Sequence, residues 1–168
     1  LVHNGADATV YAYDSFHRRL SKNQNGIATL YLYQNQNEIG ALNQGKITQL
    51  RVLGVTYGAE IGGAIALELN EKVYAPMHDP HGNIVALLDT CGDLVEGYRY
   101  TAFGEIQVFS KNIVDNPWRY SSKRYDTETG FIFLDGAIMI QKSDVGQHLI
   151  LQVMPMGQIS MLMCIIGR

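Results

Sequence analysis

Tyr11-Ala12-Tyr13-Asp14-Ser15-Phe16-His17 and Tyr98-Arg99-Tyr100-Thr101-Ala102-Phe103-Gly104 are two copies of one pattern, Tyr-x-Tyr-(Asp/Thr)-x-Phe. Strand alternation puts both tyrosines of a copy on one face. The Asp or Thr that follows bonds the backbone of the turn it opens. Units of this kind bury their aromatic faces only by stacking on neighbours, so the pattern implies an array and not an isolated hairpin.

Around the two copies, short strand-like runs alternate with turn signals about every ten residues, the spacing of an all-β meander. Strands are expected over Thr9–Tyr13, His17–Lys22, Ile27–Tyr33, Lys46–Leu53, Ile65–Leu69, Val73–Ala75, Ile84–Leu88 and Leu94–Tyr100. Turns are expected at Asn25-Gly26, Asn70-Glu71, Asp79–Gly82 and Cys91-Gly92, residue types that tolerate positive φ or cap a turn. In the third run Leu30 and Leu32 oppose Tyr31 and Tyr33, which reads as a strand covered on both faces. Ile65, Leu67 and Leu69 read as one buried face. No segment up to residue 133 has a helical period with caps.

Composition narrows the function classes. The 168 residues suffice for one domain, with formal net charge −3, 17% charged residues and 46% hydrophobic residues. No Lys/Arg cluster marks a nucleic-acid face, so no nucleic-acid partner is expected. Ten Tyr favour β-structure. Two cysteines, Cys91 and Cys164, make neither a disulfide framework nor a zinc cluster, and leave the compartment open. No run of about 18 apolar residues spans a membrane. No signal peptide is read, and the chain opens on Leu1, so a start inside a longer protein is expected.

Candidate chemistry is sparse. Asp79-Pro80-His81-Gly82 is turn chemistry first, with Asp79 as the turn cap and not an acid–base group. His78, Asp79 and His81 could ligate a metal, yet three groups in four residues seldom close a tetrahedral site without distant ligands. Cys91 has no base near it in sequence and reads as a passive thiol. Gly54–Gly63 contains no Gly-x-Gly-x-x-Gly and no following helix, so no phosphate site is read there. Alternating tyrosines could bind sugar, but packing is the simpler use. No catalytic, cofactor-binding or metal residues are therefore expected.

Four further stretches carry a resemblance. Tyr13-Asp14 with Arg18-Arg19-Leu20 looks like the centre of a YD repeat. Asp79 to Asp89 is similar to a DxxGNVxxLxD hairpin, and Glu96 to Glu105 to an E-x-YxYxxFG strand. Asn116 to Gly130 resembles the stretch that enters the RHS repeat-associated core. Over most of residues 9–133 the chain thus resembles the RHS/YD-repeat family, which includes bacterial polymorphic toxins, the shell-forming component of insecticidal toxin complexes, and animal teneurins. The resemblance implies antiparallel strand–turn–strand repeats in part of a curved β-shell that encloses or presents a C-terminal, toxin-like cargo. It implies as partners the rest of the shell and that cargo, with a cell-surface glycan or protein as a further possibility. It also implies a secreted or envelope-associated setting. The alternative functions are a self-cleaving aspartyl-type peptidase core in an intact relative, or a glycan- or partner-binding shell. The chain itself is expected not to be an enzyme.

Residues 1–134 form the shell segment on this reading, and 135–168 read differently. The tail holds five of the six Met and none of the ten Tyr. Re-reading its codons from the last base of one residue through the first two of the next forces several outcomes, because Met has the single codon ATG. Met139-Ile140 gives Asp, Met154-Pro155 gives Ala, Met156-Gly157 gives Gly and Met163-Cys164 gives Val. These residues fall where the family pattern RYYDPxxGRWxTPDPxG and its continuation want them. A one-base loss near Phe133-Leu134 is therefore expected, leaving an irregular, poorly ordered tail.

Overall fold

The computed structural model describes residues 2–4, 7–55, 63–101, 105–109, 114–127, 130–134, 137–140, 149–153 and 159–162. Eleven antiparallel strands make one open sheet in strict chain order. They are β1 (Val2–Asn4), β2 (Asp7–Tyr13), β3 (Arg19–Gln24), β4 (Ile27–Gln34), β5 (Asn37–Asn43), β6 (Lys46–Leu53), β7 (Ala64–Leu69), β8 (Lys72–His78), β9 (Ile84–Leu88), β10 (Leu94–Tyr100) and β11 (Ile106–Val108). Each strand pairs with its chain neighbours, the simplest way to connect antiparallel strands through short turns. The only helical element among the described residues is one 3-10 turn, Tyr120–Ser122.

Two kinds of turn build the meander. Two-residue turns carry positive φ at both positions: 52° and 83° at Asn25-Gly26, 51° and 79° at Gln44-Gly45, 50° and 66° at Asn70-Glu71. That twist matches the flanking strands. The second kind is a five-residue loop opened by Asp or Thr. The Asp14 carboxylate accepts from the N–H groups of Phe16 and Arg18, and Asp79 does the same for His81 and Asn83. Asp89 repeats it with Cys91 and Asp93. Thr101 Oγ1 accepts from Glu105 N–H in the corresponding place. In each loop the first residue's N–H donates to the carbonyl of the fifth. The fourth position takes positive φ: 63° at His17, 77° at Gly82, 87° at Gly92. The repeat read from the Tyr-x-Tyr pattern is thus a repeat of turn geometry.

The two faces of the sheet differ. Tyr31 stands opposite Ala41, Ala41 opposite Gln49, Gln49 opposite Leu69, and Leu67 opposite both Arg51 and Tyr74. Tyr31, Ala41, Leu67, Leu69 and Tyr74 are buried. With Ile84, Leu87, Tyr98, Val114 and Trp118 most of them form the core. Fully buried Ile84 and Leu87 each contribute roughly 2 kcal/mol. The opposite face is open, with Leu30, Val52 and Val73 about half exposed. This corrects the expectation that β4 is covered on both sides: its tyrosine face is buried and its leucine face is not. Ile65 is likewise exposed, because a register shift between Val52 and Leu53 turns Ala64 inward instead.

A second antiparallel sheet follows: β12 (Arg124–Asp126), β13 (Phe131–Leu134), β14 (Ala137–Ile140), β15 (Leu149–Val153) and β16 (Ile159–Leu162). Where an irregular tail was expected, β14 to β16 extend the sheet from Phe131–Leu134. Runs of Ile, Leu, Val and Met suit a pleated surface whatever their origin.

Candidate functional site

The segment from Val114 to Phe133 lies against the buried face of the repeat sheet. Its anchors are ionic and aromatic. Arg19 of β3 donates to Asp126 Oδ2 at 2.6 Å, with both side chains 1% exposed. Arg124 donates through Nε and Nη2 to the Glu38 carboxylate of β5, the Nη2 bond being 2.7 Å, with both side chains 7% exposed. Trp118 Nε1 donates to the same carboxylate at 3.2 Å, and Arg124 Nη2 also reaches Gln49 Oε1 at 2.8 Å. Arg51 of β6 donates to two carbonyls, Glu38 O at 2.6 Å and Ser122 O at 2.7 Å. The Arg51 bonds thereby tie two distant stretches of chain to one planar group.

These guanidinium groups alternate with rings. Arg19 lies near the rings of Tyr11, Phe133 and Tyr31, Arg124 over Tyr31 and Trp118, and Arg51 also over Trp118. Centroid distances run from 4.3 Å, at Tyr11, to 5.7 Å, at Tyr31. Desolvation strengthens such contacts. Burial works against the charge on Arg19, but Asp126 and the neighbouring tyrosines outweigh it and hold that guanidinium above its ordinary pKa. Arg124 behaves the same way, with burial opposing and Glu38 prevailing. Burial pushes the phenols of Tyr13, Tyr31 and Tyr33 up.

The segment is held by backbone too. Ile84 N–H donates to Arg119 O, Ser121 N–H to Asn83 Oδ1 at 2.7 Å, and Ser122 Oγ to Gly82 O. Ser121 and Ser122 have φ of 49° and 53°, a conformation costly for a side chain bearing a Cβ. It persists because the surrounding bonds fix it. Asn116 closes its own turn, bonding both Trp118 N–H and Trp118 O.

The single residues singled out in sequence take these positions. Asp79 is a turn cap: besides two N–H groups, its carboxylate accepts from Asn83 Nδ2 at 2.7 Å. Burial opposes these bonds, yet they hold the group below its ordinary pKa. Among the described residues no three His, Cys, Asp or Glu side chains gather as a metal site. Cys91 is exposed on the Asp89 turn. Gly54 N–H donates to Gly63 O, and residues 56–62 between them lie outside the described residues. The arrangement holds two parts of one chain together. Glu38 and Arg51 escaped the sequence reading. Their signal was a charged residue placed on the same strand face as buried tyrosines.

No family model matches the chain. It is 30% identical over 126 residues to the tRNA3(Ser)-specific nuclease WapA of Bacillus spizizenii and 32% identical to the tRNA nuclease WapA of Bacillus subtilis. Each match takes in 74% of this chain and 5% of the relative, so the chain spans a small part of those proteins. Among solved structures it resembles the Photorhabdus luminescens Tc holotoxin pore, with TM-score 0.60, 17% identity, and 88% of this chain against 8% of that one. The TcdB2-TccC3 crystal structure gives TM-score 0.58 at 17% identity, over 83% of this chain and 8% of that one. The antiparallel strand meander agrees with these likenesses, and the chain belongs to the RHS/YD-repeat family.

Proposed function

We propose that this chain is a wall segment of an RHS/YD-repeat β-shell that encloses or presents a C-terminal toxin-like cargo, in a secreted or envelope-associated protein. The observation that carries the reading is the seam: Arg19–Asp126 and Glu38–Arg124 join a long open sheet to the stretch that follows it. An open sheet leaves edges at β1 and β11 that further repeats would pair. The relatives named as nucleases are far longer than this chain, and on this reading a nuclease activity would belong to the cargo. On the same reading, residues 135–168 come from a one-base loss near Leu134, and resequencing across the codons for Phe131 to Gly136 tests that. The shell reading is tested in the complete gene product by limited proteolysis. The cargo should stay uncut while the shell is intact and become accessible when Arg19→Ala and Arg124→Ala open the seam. A cargo equally accessible in both proteins would contradict enclosure.

A further inference from the structure

A cavity of about 830 Å³ opens between the Asp79–Asn83 turn, the end of β10 and the Tyr120–Ser122 turn. Two half-buried rings, Tyr100 and Tyr120, meet in it at 5.9 Å and 56°, so their faces form a corner. The corner is held in place. The Tyr100 hydroxyl donates to Ile84 O at 2.6 Å, and Ser121 N–H, next to Tyr120, donates to Asn83 Oδ1 at 2.7 Å. Asp79 lines the same cavity. Its Oδ1 accepts the N–H groups of His81 and Asn83, and its Oδ2 accepts the Asn83 side-chain amide. A carboxylate offers about four such sites, so the third bond leaves room for a ligand. Burial opposes the charge, yet these bonds keep the group ionised at neutral pH.

Charge selects the ligand class. Asp79 is the only carboxylate of the lining among the described residues. Arg99 does not offset it: its side chain alternates to the other face of β10 and lies over Phe109. Arg119 stands outside the lining, with Nε donating to Asn116 O and its guanidinium over the rings of Tyr98 and Tyr125. The cleft thus sets one negative charge beside two π faces, and both attract a cation. A metal ion is not suited, since no three His, Cys, Asp or Glu side chains gather among the described residues. A bare ammonium is strongly hydrated and keeps its water. An alkylated ammonium sheds water more readily and offers methyl groups to the rings. We propose that this cleft binds the quaternary ammonium group of a small organic cation. The remaining volume takes the rest of that molecule, whose polar atoms meet Thr101 and Ser121. The proposal stands apart from the shell reading, since it needs neither a cargo nor neighbouring repeats.

The test titrates the purified chain with choline and with tetramethylammonium, up to millimolar concentration, by calorimetry. Both should bind saturably. Dimethylbutanol, which has the shape of choline without its charge, should bind at least about tenfold more weakly. That comparison needs no variant and so does not depend on any variant folding. Asp79→Asn removes the charge and keeps an oxygen for the two turn N–H groups; Tyr120→Leu removes a π face and keeps an apolar side chain. Each should weaken choline binding about tenfold, while Phe16→Ala, at an exposed ring outside the cleft, leaves it unchanged. Absence of saturable binding by both cations overturns the proposal. So does dimethylbutanol binding as tightly as choline, or choline affinity unaltered in Asp79→Asn.

Discussion

The turn that repeats along this chain is decided by single residues. Gly92, with φ 87°, has open space where a Cβ would stand, so Gly92→Ala meets no clash and only the conformational cost remains. That cost is about 1 kcal/mol, read as a lower urea midpoint. His17 occupies the equivalent position at φ 63° without a glycine's freedom. His17→Gly should therefore stabilise the chain by up to about 1 kcal/mol, unless added freedom in the unfolded chain offsets it. An unchanged midpoint in Gly92→Ala would mean that this turn does not need the left-handed conformation. Glu96 is fully buried beside Tyr98, whose hydroxyl donates to it. Burial raises its pKa, the Tyr98 bond only partly opposing. A raised carboxyl pKa stabilises the fold below the unfolded value and loses that contribution as pH rises through the folded one. Glu96→Gln should flatten that part of the profile in denaturation series across mildly acidic pH.

At the scale of elements, the seam is the feature to break. Asp126→Ala leaves Arg19 buried without its carboxylate, which costs about 3–5 kcal/mol. Changing Glu38 and Arg124 singly and together should give a combined loss well below the sum of the two, because the partners are coupled. Additive losses would show that the pair contributes nothing as a pair. The buried phenols give a second check. Tyr13, Tyr31 and Tyr33 have pKa values raised by burial, so their contribution is present below the ordinary value near 10 and falls as pH rises past it. Urea midpoints should drop steadily above that pH and recover in part in a Tyr31→Phe variant. Most strands were legible, since Lys46–Leu53, Ile84–Leu88 and Leu94–Tyr100 follow the alternation of their own residues. β5 was not, because Asn37-Glu38-Ile39-Gly40 is polar and glycine-broken, and the partners that bury the Glu38 carboxylate, Arg124 and Trp118, lie far along the chain. The exposed leucine face of β4 was misread for a related reason. Alternation tells which residues share a face, not which face another part of the chain will cover.

At the scale of the whole molecule, the proposed role is that of a wall segment, with no reaction expected of it. Purified chain held at neutral pH should keep its intact mass, and a specific cut abolished by Asp79→Asn would show the turn cap to be catalytic. Composition supports the expectation: residues 135–168 hold only Asp135 and Asp144 as carboxylates, neither in an Asp-Pro-x-Gly setting. Acid–base work needs two groups within hydrogen-bond reach of the reacting atom. The most direct test of the central claim is an electron cryomicroscopy reconstruction of the complete gene product. The expected result is a hollow β-shell in which β2 to β10 form part of the wall, with Arg19–Asp126 and Glu38–Arg124 closed and further strands paired at β1 and β11. A reconstruction showing these residues as a separate globular domain, with both sheet edges bare and no enclosed volume, would contradict it.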